Sequence, residues 1–224
     1  MFVLNPIHVL YIADLIYERY GDSLNIWAYG RIDTCKEKFL GRLRRAGFRW
    51  LGIGIESAST YVRDGADKKF SNEDIIAVTK KVREADINIG GNFIFGLPDD
   101  TPETMRQTFE LALEIKPELM NLYCAMAYPG SSLYQWAKKN SVFLPEDTGG
   151  PGWIGYAQHS YECMPLSTKT VSAAEVLKLR DKAFNAYYRD ASYLDHIRSR
   201  FGTQAVEHIK DMLTVKLKRK LLEL

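Results

Sequence analysis

Residues that could do chemistry in this chain gather in short stretches marked by glycine or proline. Four stand out: "GRID" at Arg31 and Asp33, "GIGIES" ending in Glu56 and Ser57, "GLPDDT" from Gly96 to Thr101, and "AYPGSSLY" from Ala127 to Tyr134. In "GLPDDT" the glycine permits close backbone approach or an unusual φ, and the proline stiffens the exit. Asp100 and Thr101 can cap the helix that follows, whose free N–H groups offer an anion site. A plain strand-to-helix turn explains the same residues. "GIGIES" is not a dinucleotide fingerprint, because Ser57 replaces the third glycine and the glycines lie inside a strand. Gly52 and Gly54 are equally explained by something packing closely on that strand. Glu56 is a ligand contact or a solvated strand-end carboxylate, and the residues alone do not choose. "AYPG" is a tight turn that could also offer backbone groups to a flat ring.

The metal and nucleophile inventory is thin. Cys35, Cys124 and Cys163 are far apart, so neither a disulfide framework nor a compact thiolate site is expected. Cys124, inside an apolar run, reads as a core thiol. His159 and Cys163 lack further ligands at metal spacing and read as structural. A reducing, cytoplasmic compartment follows from this cysteine usage. The 224 residues are 46% hydrophobic and 26% charged with a formal charge of +2, values ordinary for one globular chain with a sizeable core. No apolar run approaches the roughly 18–20 residues of a membrane span. The first residues, with Asp14, Glu18 and Arg19 at helical spacing, are not a signal peptide. The basic tail "VKLKRKLLEL" reads as a solvated helix face, so neither nucleic acid nor membrane is an expected partner.

The elements that must position these stretches alternate. Residues 6–20 predict an amphipathic helix closed by Gly21. "LNIWAYGRID", "FRWLGIGIES", "INIGGNFIFG" and "ELMNLYCAMAYPG" predict strands. Helices between them are expected from a capping box at Thr34–Glu37 to about Ala46, from "SNED" to about Ala85, and from Thr101-Pro102 to about Ile115. The strands are near-continuous apolar runs, as in parallel sheets covered on both faces. Residues 141–170 lack a clear period and read as a functional covering loop. "SAAE" at Ser172 caps a helix to about Arg189, and a helical extension follows. Four β/α units fit a barrel or doubly wound sheet, and both place ligands at the carboxyl ends of the strands. All four special stretches fall there. A first strand at residues 24–33 leaves an apolar edge, so a partner or upstream segment is expected to pair with it, and the chain reads as the carboxyl-terminal portion of a longer protein.

Taken together and in order, "MFVLN", "RIDT…LRRAGFRWLGIGIES", "INIGGNFIFGLPDDTPET" and "AYPGSSLY" resemble the radical S-adenosylmethionine superfamily, in the branch that carries a cobalamin-binding domain before the radical domain. The resemblance covers residues 1 to about 140. It implies an α/β fold: a partial (β/α)6 TIM-like barrel with strands 3–6 in residues 1–140, a covering loop at 141–170 and a helical C-terminal extension at 171–224. It implies S-adenosylmethionine as cofactor, cleaved reductively by a [4Fe–4S] cluster, with cobalamin as a further cofactor. Glu56 and Ser57 fall where the family contacts the ribose or amino-acid part. Asn92, Ile94 and Gly96 match the fifth-strand motif near adenine, and Cys124, Met126 and Ala127 supply sixth-strand backbone. Arg31 and Asp33 could face substrate or cofactor.

The departure is the cluster loop. No CxxxCxxC occurs in the 224 residues, and such clusters are held by thiolates. The implied cluster ligands and cobalamin domain therefore lie on an upstream domain or subunit. The expectation is a portion of a radical enzyme for methyl transfer or cyclisation on a small-molecule substrate, inactive by itself, with no catalytic residue assigned. The competing readings are a truncated or partner-binding α/β module without catalysis and an unrelated nucleotide-binding domain.

Overall fold

The computed structural model describes residues 2–64 and 70–223. Met1 and Leu224, at the ends of the expected first and last segments, lie outside the described residues. Strands β1 (Ile26–Arg31), β2 (Phe48–Glu56), β3 (Asn88–Phe95) and β4 (Leu119–Cys124) form one sheet in chain order. β1 pairs with β2, and β2 with β3, in parallel. The chain divides into two compact units. Unit 1 is Met1–Phe93 with Glu114–Asn121, and unit 2 is Ile94–Leu113 with Leu122–Leu224.

Unit 1 carries helices α1 (Pro6–Tyr20), α2 (Glu37–Arg45), α3 (Thr60–Asp64) and α4 (Asn72–Glu84). Its core is made by Leu43, Leu51, Ile53, Ile55, Ile75, Val82, Ile87, Ile89 and Phe93, all buried; each such side chain contributes about 1.5–3 kcal/mol. Ser71 caps α4 as expected, and its reciprocal bond with Asp74 makes the cap a full capping box. The box expected at Thr34 does not form. Thr34 Oγ1 accepts from Arg31 N (3.0 Å) and closes the turn after β1, so α2 begins three residues later behind Lys36. Cover differs along the sheet: Leu51–Ile53 of β2 and Asn88–Gly91 of β3 are buried on both faces, as expected, and β1 is not. Along β1, Ala28 and Gly30 are buried while Trp27 and Tyr29 are exposed, so on this strand one face alone is covered. β1 is an edge strand, and its far side takes Phe2 and Val3, whose N–H groups both donate to Tyr29 O (3.1 and 3.0 Å), with a parallel bridge from Val3 to Gly30. Glu118 is buried between the Arg83 guanidinium (3.1 Å) and the Ile89 N–H (2.7 Å), which ties the segment before β4 to α4 and β3.

Unit 2 carries most of α5 (Pro102–Ile115), then α6 (Ser132–Lys139), α7 (Ala173–Arg189), α8 (Ala191–Phe201) and α9 (Thr203–Met212). Ser172 and Glu175 form the capping box that starts α7. Residues 141–170 contain a short 3-10 turn at Gly152–Tyr156 and are stapled, not loose: Met164 N–H donates to Gly155 O (2.9 Å), and Leu166 N–H to Ala125 O (3.0 Å). The tail differs from the solvated helix read from its charges. It leaves the α-helical state after Met212, and Arg219 is buried, with Nε 3.0 Å from Asp181 Oδ2 and Nη1 2.8 Å from Gln158 O. Helical charge spacing gave no hint that one arginine of the run would find a buried carboxylate. Among the described residues no helix is long and apolar enough to cross a membrane.

Candidate functional site

In unit 1 the parallel register lines up three rows across the sheet. Trp27, Trp50 and Asn88 form the first, Tyr29, Gly52 and Gly90 the second, and Arg31, Gly54 and Asn92 the third. Glycine in the second row has a direct reason. A Cβ at Gly90 would lie 2.5 Å from the Trp27 ring, and one at Gly52 would lie 2.8 Å from the Tyr29 ring. Trp27 stacks on Trp50 at 5.3 Å, so the close-packing reading of Gly52 is correct. Arg31 and Asp33 hold each other through two hydrogen bonds of 2.9 and 3.0 Å. The Asn92 amide oxygen accepts from Asn121 (3.0 Å).

Glu56 is the unusual member. It ends β2 with φ 68°, left-handed, and the register to β3 slips just before it, between Gly54 and Glu56. A non-glycine residue there costs about 1–2 kcal/mol, so its surroundings must impose it. Arg63 does so from α3. Fully buried, it donates Nη1 to Ser57 O (2.6 Å) and to Asn72 Oδ1 (2.7 Å), and Nη2 to Phe70 O (2.7 Å). Ser57 is buried, and its hydroxyl accepts from Ser59 N (3.2 Å). Ser57 therefore builds the turn, and Glu56 is the half-exposed residue of the pair.

In unit 2 the corresponding groups are tightly bound. Gly96 has φ +84°, and a Cβ on it would meet Val176 at 2.6 Å. Asp100 folds back over the turn instead of capping α5. Its Oδ2 accepts from Gly96 N (3.0 Å) and Leu97 N (3.1 Å), and its Oδ1 from the Thr104 hydroxyl (2.7 Å). Burial raises the Asp100 pKa above its ordinary value, partly offset by those hydrogen bonds. Thr101 is the cap, accepting from Thr104 N (3.2 Å). Ile94 packs on the Ala125 and Ala127 cluster. The Gln158 amide engages both backbone groups of Cys124, at 3.0 and 2.8 Å. Ala125 gives its N–H to Phe95 O and takes Leu166 N–H, and Met126 O takes Tyr128 N–H. Among the described residues no partner falls on the N–H groups of Met126 and Ala127, or on the Ala127 carbonyl.

Unit 1 thus brings Arg31, Asn92 and Glu56 to neighbouring strands, with Ser57 as scaffold, and in unit 2 Cys124 is scaffold as well. Arg63, Gln158 and the Arg180–Asp181–Arg219 set were not foreseen. Each lies in a stretch that reads as ordinary loop or helix surface, and only long-range contact shows its task. The cysteines do not fit a cluster. All three are free and buried, burial pushes the Cys35 and Cys124 thiols up to about 12, and the Cys163 thiol is raised too. Among the described residues no group of three or more metal-ligating side chains forms.

Residues 22–112 match the family described as the radical SAM superfamily. The chain is 24% identical over 168 residues to an uncharacterized methyltransferase of Pyrococcus horikoshii, covering 75% of this chain and 35% of that protein. It is 30% identical over 147 residues to the anaerobic magnesium-protoporphyrin IX monomethyl ester cyclase of Cereibacter sphaeroides, covering 65% of this chain and 22% of that one. The chain therefore spans about a third or less of these relatives. The solved radical S-adenosylmethionine methyltransferase TsrM of Kitasatospora setae, with cobalamin and a [4Fe-4S] cluster bound, shares the fold at TM-score 0.51 and 21% identity, over 55% of this chain and 24% of that one. Over residues 22–112, which include the "GRID", "GIGIES" and "GLPDDT" stretches, the chain is therefore similar to the radical SAM superfamily.

Proposed function

We propose that this chain supplies the S-adenosylmethionine-binding strands of a radical SAM enzyme of the methyl-transfer or cyclisation kind, as a partial (β/α)6 barrel whose cluster ligands come from another segment or subunit. The observation that carries the reading is Glu56. A carboxylate is kept at a strand end in a backbone state that glycine would adopt without strain, which is expected where the side chain itself is needed. Glu56 would hold the ribose hydroxyls or amino group of the cofactor, with Asn92 beside it. Considered by itself, unit 2 offers the Met126 and Ala127 N–H groups and the Ala127 carbonyl, which are suited to hydrogen-bond the edge of a flat heterocycle. Reductive cleavage of S-adenosylmethionine to a 5′-deoxyadenosyl radical is the chemistry a thiolate-held cluster supplies once present.

The cluster-bearing partner would dock on the open edge of β1 and on the exposed stripe Ile7, Tyr11 and Leu15 of α1. Cobalamin would come with that partner, and free buried thiols suit a reducing cytoplasm. Residues 141–170 would close over a small-molecule substrate, since Tyr156 packs on Tyr128 (5.4 Å), the residue after Ala127. The test is titration of S-adenosylmethionine into the chain by calorimetry. Saturable binding that Glu56→Gln weakens about tenfold or more supports the reading (~1.4 kcal/mol). Equal binding by wild type and variant refutes the Glu56 role. The same exposed stripe on α1 also favours a partner-binding module without catalysis, and a chain that takes its partner but no cofactor would be that module.

A further inference from the structure

Unit 2 contains a cavity that none of the strand-end residues line. It lies between α7 and the C-terminal tail, has a volume of about 690 Å³, and is bounded by Arg180, Phe184 and Arg189 of α7, by Met212, and by Lys216 and Leu217 of the tail. That volume is in the range of small-molecule sites. We infer that this cavity binds an amphiphilic organic anion, a carboxylate joined to an apolar body.

The cationic half is built around Arg180. Its residue is 4% exposed, its Nε donates to Leu122 O (2.7 Å), and its Nη1 donates to Asp181 Oδ1 (2.8 Å). Its guanidinium carbon stands 4.8 Å from the Phe184 ring centre. The third nitrogen, Nη2, has no acceptor among the described residues. Nη2 is not among the buried side-chain atoms left without a partner, so it opens to solvent, where it can donate to an incoming anion. Asp181, the one carboxylate among the described lining residues, cannot cancel the field. It already takes Arg180 Nη1, and Arg219 Nε and Nη2. Arg189 is oriented by Asn185, whose Oδ1 accepts from its Nη1 (2.8 Å), and Lys216 has no ion-pair partner among the described residues. The His159 pKa is lowered, first by burial and then by Arg180 and Arg219, as a cationic wall requires.

The apolar half is equally specific. Phe184 stacks under the guanidinium, while Met212 and Leu217 are 37% and 41% exposed, large apolar surface left facing water. A bare inorganic anion would leave that surface wet, and a neutral apolar molecule would leave Arg189 and Lys216 without a carboxylate. A carboxylate with an alkyl or aromatic body satisfies both, because charge-assisted Arg–carboxylate hydrogen bonds are the strong ones and the rest of the ligand buries apolar area. The site is independent of S-adenosylmethionine binding at Glu56.

The test uses the full 224-residue chain with octanoate as probe, read by calorimetry and by the NMR signal of the Met212 methyl group. Octanoate should bind saturably and shift that signal. The double variant Arg189→Gln with Lys216→Gln, both exposed positions, should keep the wild-type circular dichroism spectrum and weaken octanoate binding at least about tenfold. 1-Octanol, which has the chain without the charge, should bind at least about tenfold more weakly and be indifferent to the double variant. The inference is overturned if wild type shows no saturable octanoate binding, or if the double variant binds it as tightly as wild type. It is equally overturned if inorganic phosphate displaces octanoate as well as octanoate itself does, since the cavity would then be a site for a bare anion.

Discussion

β2 and β3 end in the same backbone state and solve it with different residues. Glu56 has φ 68° and Gly96 has φ +84°. In unit 2 the glycine is obligatory for two reasons, since Val176 fills the space of its Cβ and a left-handed φ suits no side chain. In unit 1 a carboxylate occupies that conformation, held there by the turn that buried Arg63 anchors. Strain kept where glycine was available points to a side chain with a task. The two strand ends also differ in how their polar groups are spent. Around Gly96 the N–H groups are consumed by Asp100, whereas Glu56 stands half-exposed beside a row that presents Arg31 and Asn92.

The contrast can be broken by exchanging the solutions. Gly96→Ala should have the largest effect, lowering stability by about 3 kcal/mol from the left-handed φ plus overlap with Val176. Adding Val176→Ala should recover the overlap share but not the φ share of about 1–2 kcal/mol. Denaturant midpoints at constant slope would measure both, and a Gly96→Ala midpoint equal to wild type would remove the packing argument. Glu56→Gly should act in the opposite sense, raising stability by about 1 kcal/mol while abolishing S-adenosylmethionine binding. A variant that is less stable than wild type would show that Glu56 is not strained.

Asp100 sharpens the comparison through pH. Its pKa is raised in the folded state, so the folded chain holds its proton to higher pH than the unfolded one. Stability contributed by this group is therefore complete below the ordinary aspartate value of 3.8 and is lost as pH rises through the folded pKa. Asp100→Asn should remove that slope, visible as a flatter pH profile of the unfolding midpoint. A profile parallel to wild type would assign the slope elsewhere. The smallest effect on stability is expected from Trp153→Ala, because Trp153 is 74% exposed and touches Tyr156 at 5.8 Å. Its unfolding stability should change by less than about 0.5 kcal/mol, while under the proposed function substrate turnover with the cluster-bearing partner falls and cofactor cleavage persists. Equal loss of both activities would end the covering role of residues 141–170.

Much of the fold was legible because its signals are local. Apolar runs, the caps at Ser71 and Ser172, and Gly21 each act within a few residues, and each appears where the sequence placed it. The Thr34 box failed because a threonine hydroxyl can serve a turn as well as a helix end, and the turn after β1 took it. The candidate site was legible only in part. Glu56 and Gly96 were visible as strand-end residues, but nothing in "GIGIES" says that Ser57 turns inward to build the loop.

By itself, then, the sequence determined the order of strands and helices, the superfamily motifs, and the lack of a three-thiolate loop, all properties of residue type and short spacing. Tertiary structure alone decided which polar groups remain for a ligand. Arg63 reaches back from α3 to fasten the turn after Glu56, Gln158 seals Cys124 from 34 positions away, and Arg219 turns a basic tail into the wall of a cavity. The reason is physical: a buried polar group must find its partner somewhere in the fold, and distance along the chain carries no record of where that partner lies.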